Sequence, residues 1–141
     1  MIEFFAAGVP ATKGSMRAFV RGGRPILTHD NPRTKSWQGI VAHAAHEAGV
    51  SPVEGPVAVE LAFFFPRPSG HQGTKGLKRS APAFPITRSS GDVDKLARSV
   101  LDALTGVAYR DDSQVVQLVA RKTFSGLRGA GVRVVIESEG G

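Results

Sequence analysis

Four aspartates stand in two tight groups within residues 91–116, GDVDKLARSVLDALTGVAYRDDSQVV: Asp92 and Asp94, then Asp111 and Asp112. Carboxylates are hard oxygen donors, and Mg²⁺ takes one or two of them together with waters and substrate phosphate. A metal held in this way acidifies bound water and neutralises charge on a phosphate under attack. The flanking sequence matches such a substrate. No acidic residue lies between Glu60 and Asp92, whereas Arg67, Lys75, Lys78, Arg79 and Arg88 all do. The pattern reads as a metal site facing a polyanion. A plainer reading stands beside it. Asp94 caps a helix, Asp94–Arg98 and Arg98–Asp102 are i,i+4 surface pairs worth ~0.2–0.5 kcal/mol each, and Asp111-Asp112-Ser113 is a turn.

Sharing one ion sets conditions on the local fold. If Asp92-Val93-Asp94 is extended, both carboxylates project to one side and Val93 goes to the core. In a helix they would stand about 200° apart. The helix must therefore begin at or after Asp94, where the capping preference of Asp also puts it. Leu96, Val100, Ala103 and Leu104 supply its apolar face, and Thr105-Gly106 ends it. A helix over 95–105 is roughly 16 Å long. Residues 106–110, extended at ~3.3 Å per residue, cover a similar distance back, which would bring a third carboxylate from the Asp111-Asp112 turn to the first two. Arg98, one turn into the helix on the side of Asp94, is placed to stabilise charge at a phosphate.

The rest of the chain supplies the scaffold. Residues 2–6 read as a strand. Short apolar runs at 18–20 and 25–28 flank Gly22-Gly23 as a hairpin with a basic tip. Asn31-Pro32 opens a helix whose apolar face is Trp37, Ile40, Val41, Ala44, Ala45 and Ala48, stopped by Gly49. His43 and His46 lie on that helix without the further ligands a zinc site needs. Residues 57–65, VAVELAFFF, form the strongest strand, apolar on both faces and so central. Residues 66–90 are rich in Gly, Pro, Ser and basic residues without apolar period, and read as a flexible arm contacting phosphate. Residues 115–124 and 133–137 are the last strands. The order β–β–β–α–β–loop–α–β–β implies an α+β fold, a small mixed sheet with two helices packed on it, in one domain over 1–141.

Composition narrows the partners. A net charge of +6 over 141 residues favours an anionic one. The absence of cysteine excludes disulfide scaffolds, Cys-ligated zinc, iron–sulfur clusters and thiol nucleophiles. The first residues lack a basic start and an apolar core, so no signal peptide is expected. The longest apolar run falls far short of the ~20 residues of a membrane span. A cytoplasmic protein, in a bacterial or phage-infected cell, is expected.

The run from Asp92 resembles the signature of the RusA family of Holliday-junction resolvases, often encoded by phages. Asp92-Val93-Asp94, Leu96, Asp102-Ala103-Leu104 and Asp111-Asp112-Ser113-Gln114-Val115 keep the family's spacing. The earlier GVPATKGSMR resembles the family's Gly-x-Pro…Lys-Gly loop. The resemblance implies a homodimeric, Mg²⁺-dependent endonuclease (Mn²⁺ substituting) that nicks a four-way DNA junction symmetrically in recombination and repair. It implies Asp92, Asp94 and Asp112 as metal-binding catalytic residues, with Arg98 where the family has Lys and Lys95 where it has Asn. Arg keeps the charge but gives up no proton, leaving Arg98 an electrostatic role. Asp102 reads as holding Arg98. Lys13, Arg17, Lys75, Lys78, Arg79 and Lys95 are the expected DNA contacts. Alternatives are a non-catalytic basic DNA-binding protein and a Mg²⁺-dependent nuclease of broader branched-DNA range.

Overall fold

Nine residues of alternating burial, Val57–Phe65, run through the middle of the sheet on which the other elements are laid. The computed structural model of the chain describes residues 1–13, 16–21, 24–29 and 33–140, with backbone alone for 16–21 and 24–29. In chain order the elements are β1 (Ile2–Ala7), β2 (Met16–Arg21), β3 (Arg24–His29), α1 (Thr34–Glu47), β4 (Val57–Phe65), the two-residue strands β5 (Gln72–Gly73) and β6 (Gly76–Leu77), α2 (Val93–Leu104), β7 (Val115–Phe124) and β8 (Gly131–Ser138). The expected α+β class and its mixed sheet are present. Its strand order is β1-β8-β4-β7, with β4 and β7 parallel and the other neighbours antiparallel. A parallel pair needs a crossover, and residues 66–114, including α2, supply it.

Alternation in the strands sets the core. Val57, Val59, Leu61, Phe63 and Phe65 of β4 face the helices, with Val132, Val134 and Ile136 of β8 and Phe4 and Ala6 of β1. Trp37, Val41 and Ala45 of α1 and Leu96, Ala97, Val100 and Leu104 of α2 close over them. Ile40, expected on the apolar face of α1, is instead exposed. The opposite sheet face is uncovered and holds itself together by pairs: Phe5 and Phe64 with ring centroids 6.2 Å apart, and Arg133 donating to Glu3 at 2.8 Å.

β2 and β3 pair antiparallel up to Arg21↔Arg24, as a hairpin around Gly22-Gly23 requires. That turn itself, and the Asn31-Pro32 helix start, lie outside the described residues. Residues 66–90 carry more regular structure than the absence of period led one to expect: 3₁₀ turns at Ser69–His71 and Arg88–Ser90, and the β5–β6 hairpin between them. Among the described residues no helix is long and apolar enough to cross a membrane.

Candidate active site

At the N-terminal end of α2 the structure moves the expected N-cap back by two residues. The helix begins at Val93, and Asp92, not Asp94, is the N-cap, with extended backbone (φ −79°, ψ 137°). Val93 does not go to the core; it is 38% exposed. Asp94 falls in the first turn, so the fully extended Asp92-Val93-Asp94 expected for a shared ion is absent. Asp92, outside the helix, keeps the extended backbone that frees its carboxylate from the roughly 200° separation of two helical residues. An N-cap Asp ordinarily accepts from a backbone N–H of that turn, but the Asp92 side chain makes no such bond. Its carboxylate is turned outward, 3.6 Å from the Lys95 ammonium. Asp94 and Arg98 are exposed, and no ion pair joins Arg98 to Asp94 or Asp102. Two carboxylates and a guanidinium are thus presented to solvent at a helix N-terminus, itself a favourable place for an anion.

This end of α2 is held by a residue that sequence reasoning passed over. Lys122, on the helix-facing side of β7, donates to the Gly91 carbonyl at 2.6 Å and to Ser90 Oγ at 3.0 Å. Ser90 Oγ in turn shares its single proton between the Pro85 and Thr87 carbonyls. The ammonium ties the approach to Asp92 to the sheet. A lysine in a strand gives no such signal in sequence, because its partner is a backbone carbonyl thirty-one positions away. Lys122→Met keeps the stem and removes the charge-assisted bonds, each ~1.5–3 kcal/mol at most. The urea midpoint is expected to fall by the equivalent of about 2 kcal/mol with the slope unchanged.

The C-terminal end of α2 is organised differently. Residues 106–110 do not run back along the helix. Gly106 N–H bonds the Tyr109 carbonyl at 2.7 Å, Val107 and Ala108 N–H bond the Leu104 carbonyl, and Ala108 and Tyr109 are fully buried. The chain spends these residues on a tight turn because two of them fill the core. Asp111 then caps a 3₁₀ turn, accepting from Ser113 N–H at 2.8 Å, while the Gln114 side chain closes the box and donates to the Val53 and Gly55 carbonyls. The backbone and hydroxyl bonds from Ser113 hold the Asp111 carboxyl below the usual range. Asp111 thus carries the capping bonds of this turn. Asp111 and Asp112 both line an open cleft of about 410 Å³ with Lys13, Gln38, Asp102 and Thr105. Asp102 does not hold Arg98: it pairs with Lys13 Nζ at 2.5 Å, and Lys13 N–H bonds the Lys95 carbonyl, so one loop residue spans α2.

Beneath this cleft lies Tyr109, the only tyrosine. Its hydroxyl donates to the Leu101 carbonyl at 2.7 Å. Burial pushes the phenol up, and the Asp112 and Asp102 charges push it further. The unfolded chain loses this proton near pH ~10 and the folded chain keeps it, so stability is expected to fall as pH rises past that value. Phenolate absorbance should then appear only with unfolding, and Tyr109→Phe should flatten the alkaline loss of stability.

Geometry therefore divides the expected ligands. Asp92 and Asp94 sit at one end of α2 and Asp112 at the other. Ten helical residues from Asp92 to Asp102 measure about 15 Å. An independent route agrees: Lys122 lies beside Gly91, and β7 from Val115 to Lys122 is roughly 23 Å long. Among the described residues no three His, Asp or Glu side chains group closely enough to hold a metal ion. The donors are all hard oxygens, as Mg²⁺ requires, but one subunit does not gather three of them.

The expected DNA contacts are spread over the surface. Lys75, Lys78 and Arg79 are exposed on the 66–90 segment. Lys95 and Lys13 are each beside an aspartate, and the Arg17 side chain lies outside the described residues.

Comparison with known proteins supplies what geometry alone does not. A Bacillus subtilis (strain 168) protein, the uncharacterized protein YqaN, is 31% identical over 128 residues, 88% of this chain and 88% of its own. Residues 8–137 match the family described as Endodeoxyribonuclease RusA, a span that takes in β4, β7 and all but the last residue of β8, both helices and both aspartate groups, and leaves out β1. The chain belongs to the RusA family of endodeoxyribonucleases.

Proposed function

We propose that this protein is a Mg²⁺-dependent, homodimeric endonuclease that resolves four-way DNA junctions by paired symmetric nicks, in recombination and repair in the cytoplasm of a bacterial or phage-infected cell. The observation that carries the reading is the state of Asp92 and Asp94. They are exposed carboxylates at a helix N-terminus, Asp92 leaving its capping bond unmade, one helical turn from Arg98 and directly after a segment whose formal charges are all positive. Asp102, half-buried and hydrogen-bonded to Lys13 of a distant loop, and Asp111, with its capping box, look different, since Asp92 is exposed and has only Lys95 of its own helix at 3.6 Å.

Because one subunit separates Asp112 from the other two, the complete ligand set is assigned to the dimer: Asp92 and Asp94 of one protomer with Asp112 of the partner subunit. A two-fold axis builds two equal sites, matched to a junction of approximate two-fold symmetry. When bound, Mg²⁺ supplies a more acidic water and a counter-charge for phosphate. The chain's own part is to orient those carboxylates, through Lys122 and Gly91, and to place Arg98 against developing negative charge.

The test is a labelled four-way junction, a flap and a linear duplex incubated at one salt concentration with Mg²⁺, Mn²⁺ or EDTA. Paired nicks in the junction alone, lost in EDTA, are expected. Binding without cutting in either metal would make this a non-catalytic DNA-binding protein. Equal cutting of all three would remove the junction preference.

A further inference from the structure

The segment 66–90 folds over the end of the sheet to leave a cleft of about 250 Å³, walled by Phe65, Phe84, Pro85, Ile86 and Phe124 and floored by Ser90. That is below the ~300–1,000 Å³ of clefts for drug-sized ligands. Its rim is unusual for a surface loop. Phe84 is 47% and Ile86 77% exposed, so large apolar groups stand in water beside an apolar cavity. Phe124 is held in place: the Arg67 guanidinium covers one face, 4.0 Å from its ring centroid, and His71 lies near perpendicular to it with centroids 5.5 Å apart. Arg67 is itself held by the Pro82 carbonyl at 2.8 Å. Ser90, in the floor, is two residues from Asp92. Two residues of chain span at most about 7 Å, within the span of one nucleotide along a strand.

We propose that this cleft receives a single unstacked nucleobase, the one next to the phosphate at Asp92 and Asp94, taken from the branch point of the junction. The inference rests on the nuclease reading above and adds a subsite to it. Flat aromatic and apolar walls bind bases by stacking irrespective of sequence. Enzymes that withdraw a base do so most readily where it is already unpaired or poorly stacked, and a branch point offers such bases where linear duplex does not. The surrounding positive charge of Arg67, Lys75, Lys78, Arg79 and Arg88 suits the adjoining backbone. Base capture then contributes directly to preference for branched DNA.

The test uses full-length protein and four-way junctions with a single abasic nucleotide scanned across the positions flanking the branch, with binding measured in Ca²⁺. One position is expected at which loss of the base weakens wild-type binding about tenfold or more, the range of a lost stacking contact. Phe84→Ala and Ile86→Ser, both at exposed positions, should weaken the intact junction comparably and the abasic junction no further. The proposal is overturned if no abasic position weakens binding, or if the variants lose equally on intact and abasic DNA. It is overturned too if Phe84→Ala changes the sedimentation mass, which would make the cleft a contact between copies of this chain. Cutting of the intact junction in Mg²⁺ is scored separately. Base-dependent binding without cutting removes the nuclease reading and keeps the cleft; cutting without base dependence does the reverse.

Discussion

Asp92→Asn protein mixed with Asp112→Asn protein is expected to regain nicking that neither has alone, if the proposed shared site holds. Each homodimer lacks one carboxylate at both of its sites, and each is expected to lose on the order of a thousandfold in rate, the several kcal/mol a bound metal contributes to charge stabilisation. In a mixed dimer the two lesions fall at the same composite site. The other site then holds Asp92 and Asp94 of one protomer and Asp112 of its partner, all intact. Half the dimers are mixed after random exchange and each has one of two sites, so about a quarter of wild-type site activity returns, as single nicks instead of paired ones. Ligands drawn from one subunit predict no recovery, because each chain then spoils its own site. Failure of recovery, with subunit exchange verified by mass, would disprove the shared site. Junction binding should persist in both variants, since removing a carboxylate reduces repulsion of phosphate.

Gly91→Ala should be the most destabilising single substitution near the site. Gly91 has φ 85° and ψ 169°, a region essentially reserved for glycine, where another residue costs of order 1–3 kcal/mol. A Cβ there would also run into Thr12 Cγ2, in the loop that carries Lys13. Together these are expected to cost about 3 kcal/mol or more in urea unfolding. Thr12→Ser in the same chain should recover the steric share and leave the backbone share. Activity should fall further than stability does, because Gly91 carries the carbonyl that Lys122 grips and precedes Asp92 directly. Full stability in Gly91→Ala would mean that the turn relaxes freely and does not fix the carboxylates.

What could be read in advance follows from which forces act locally. β4 and β7 were legible to the residue because their ends are set by Pro, Gly and a change of polarity next door. α2 was legible from Leu96, Val100 and Leu104, and so was the mixed α+β architecture. The helix start was not. Capping preference is the same for Asp92 and Asp94, and only the tertiary grip on Gly91 chooses between them. The expected return along α2 failed because chain length permits it but burial of Ala108 and Tyr109 does not. Asp102 was assigned to Arg98 by i,i+4 spacing. The structure gives it to Lys13, eighty-nine positions away, a choice that no helical periodicity encodes. The 66–90 segment was read as basic, but its cleft depends on Phe65 and Phe124 from strands that flank it only in three dimensions.

The place of β8 between β1 and β4 bears on how the chain is made. In the four-stranded sheet β1 has β8 as its neighbour, with Ile2 opposite Ile136. A ribosome delivers β1 first and β8 last, so the earliest strand waits for nearly the whole chain before it pairs. Long sequence separation between partners slows folding, and exposed strand edges invite association meanwhile. Local pieces such as α1 can form during synthesis, but β8 is the strand that joins β1 to β4, so the sheet is expected to close only once β8 has emerged. Chaperone demand during synthesis should therefore follow the emergence of residues 131–138 and not the length of nascent chain already exposed.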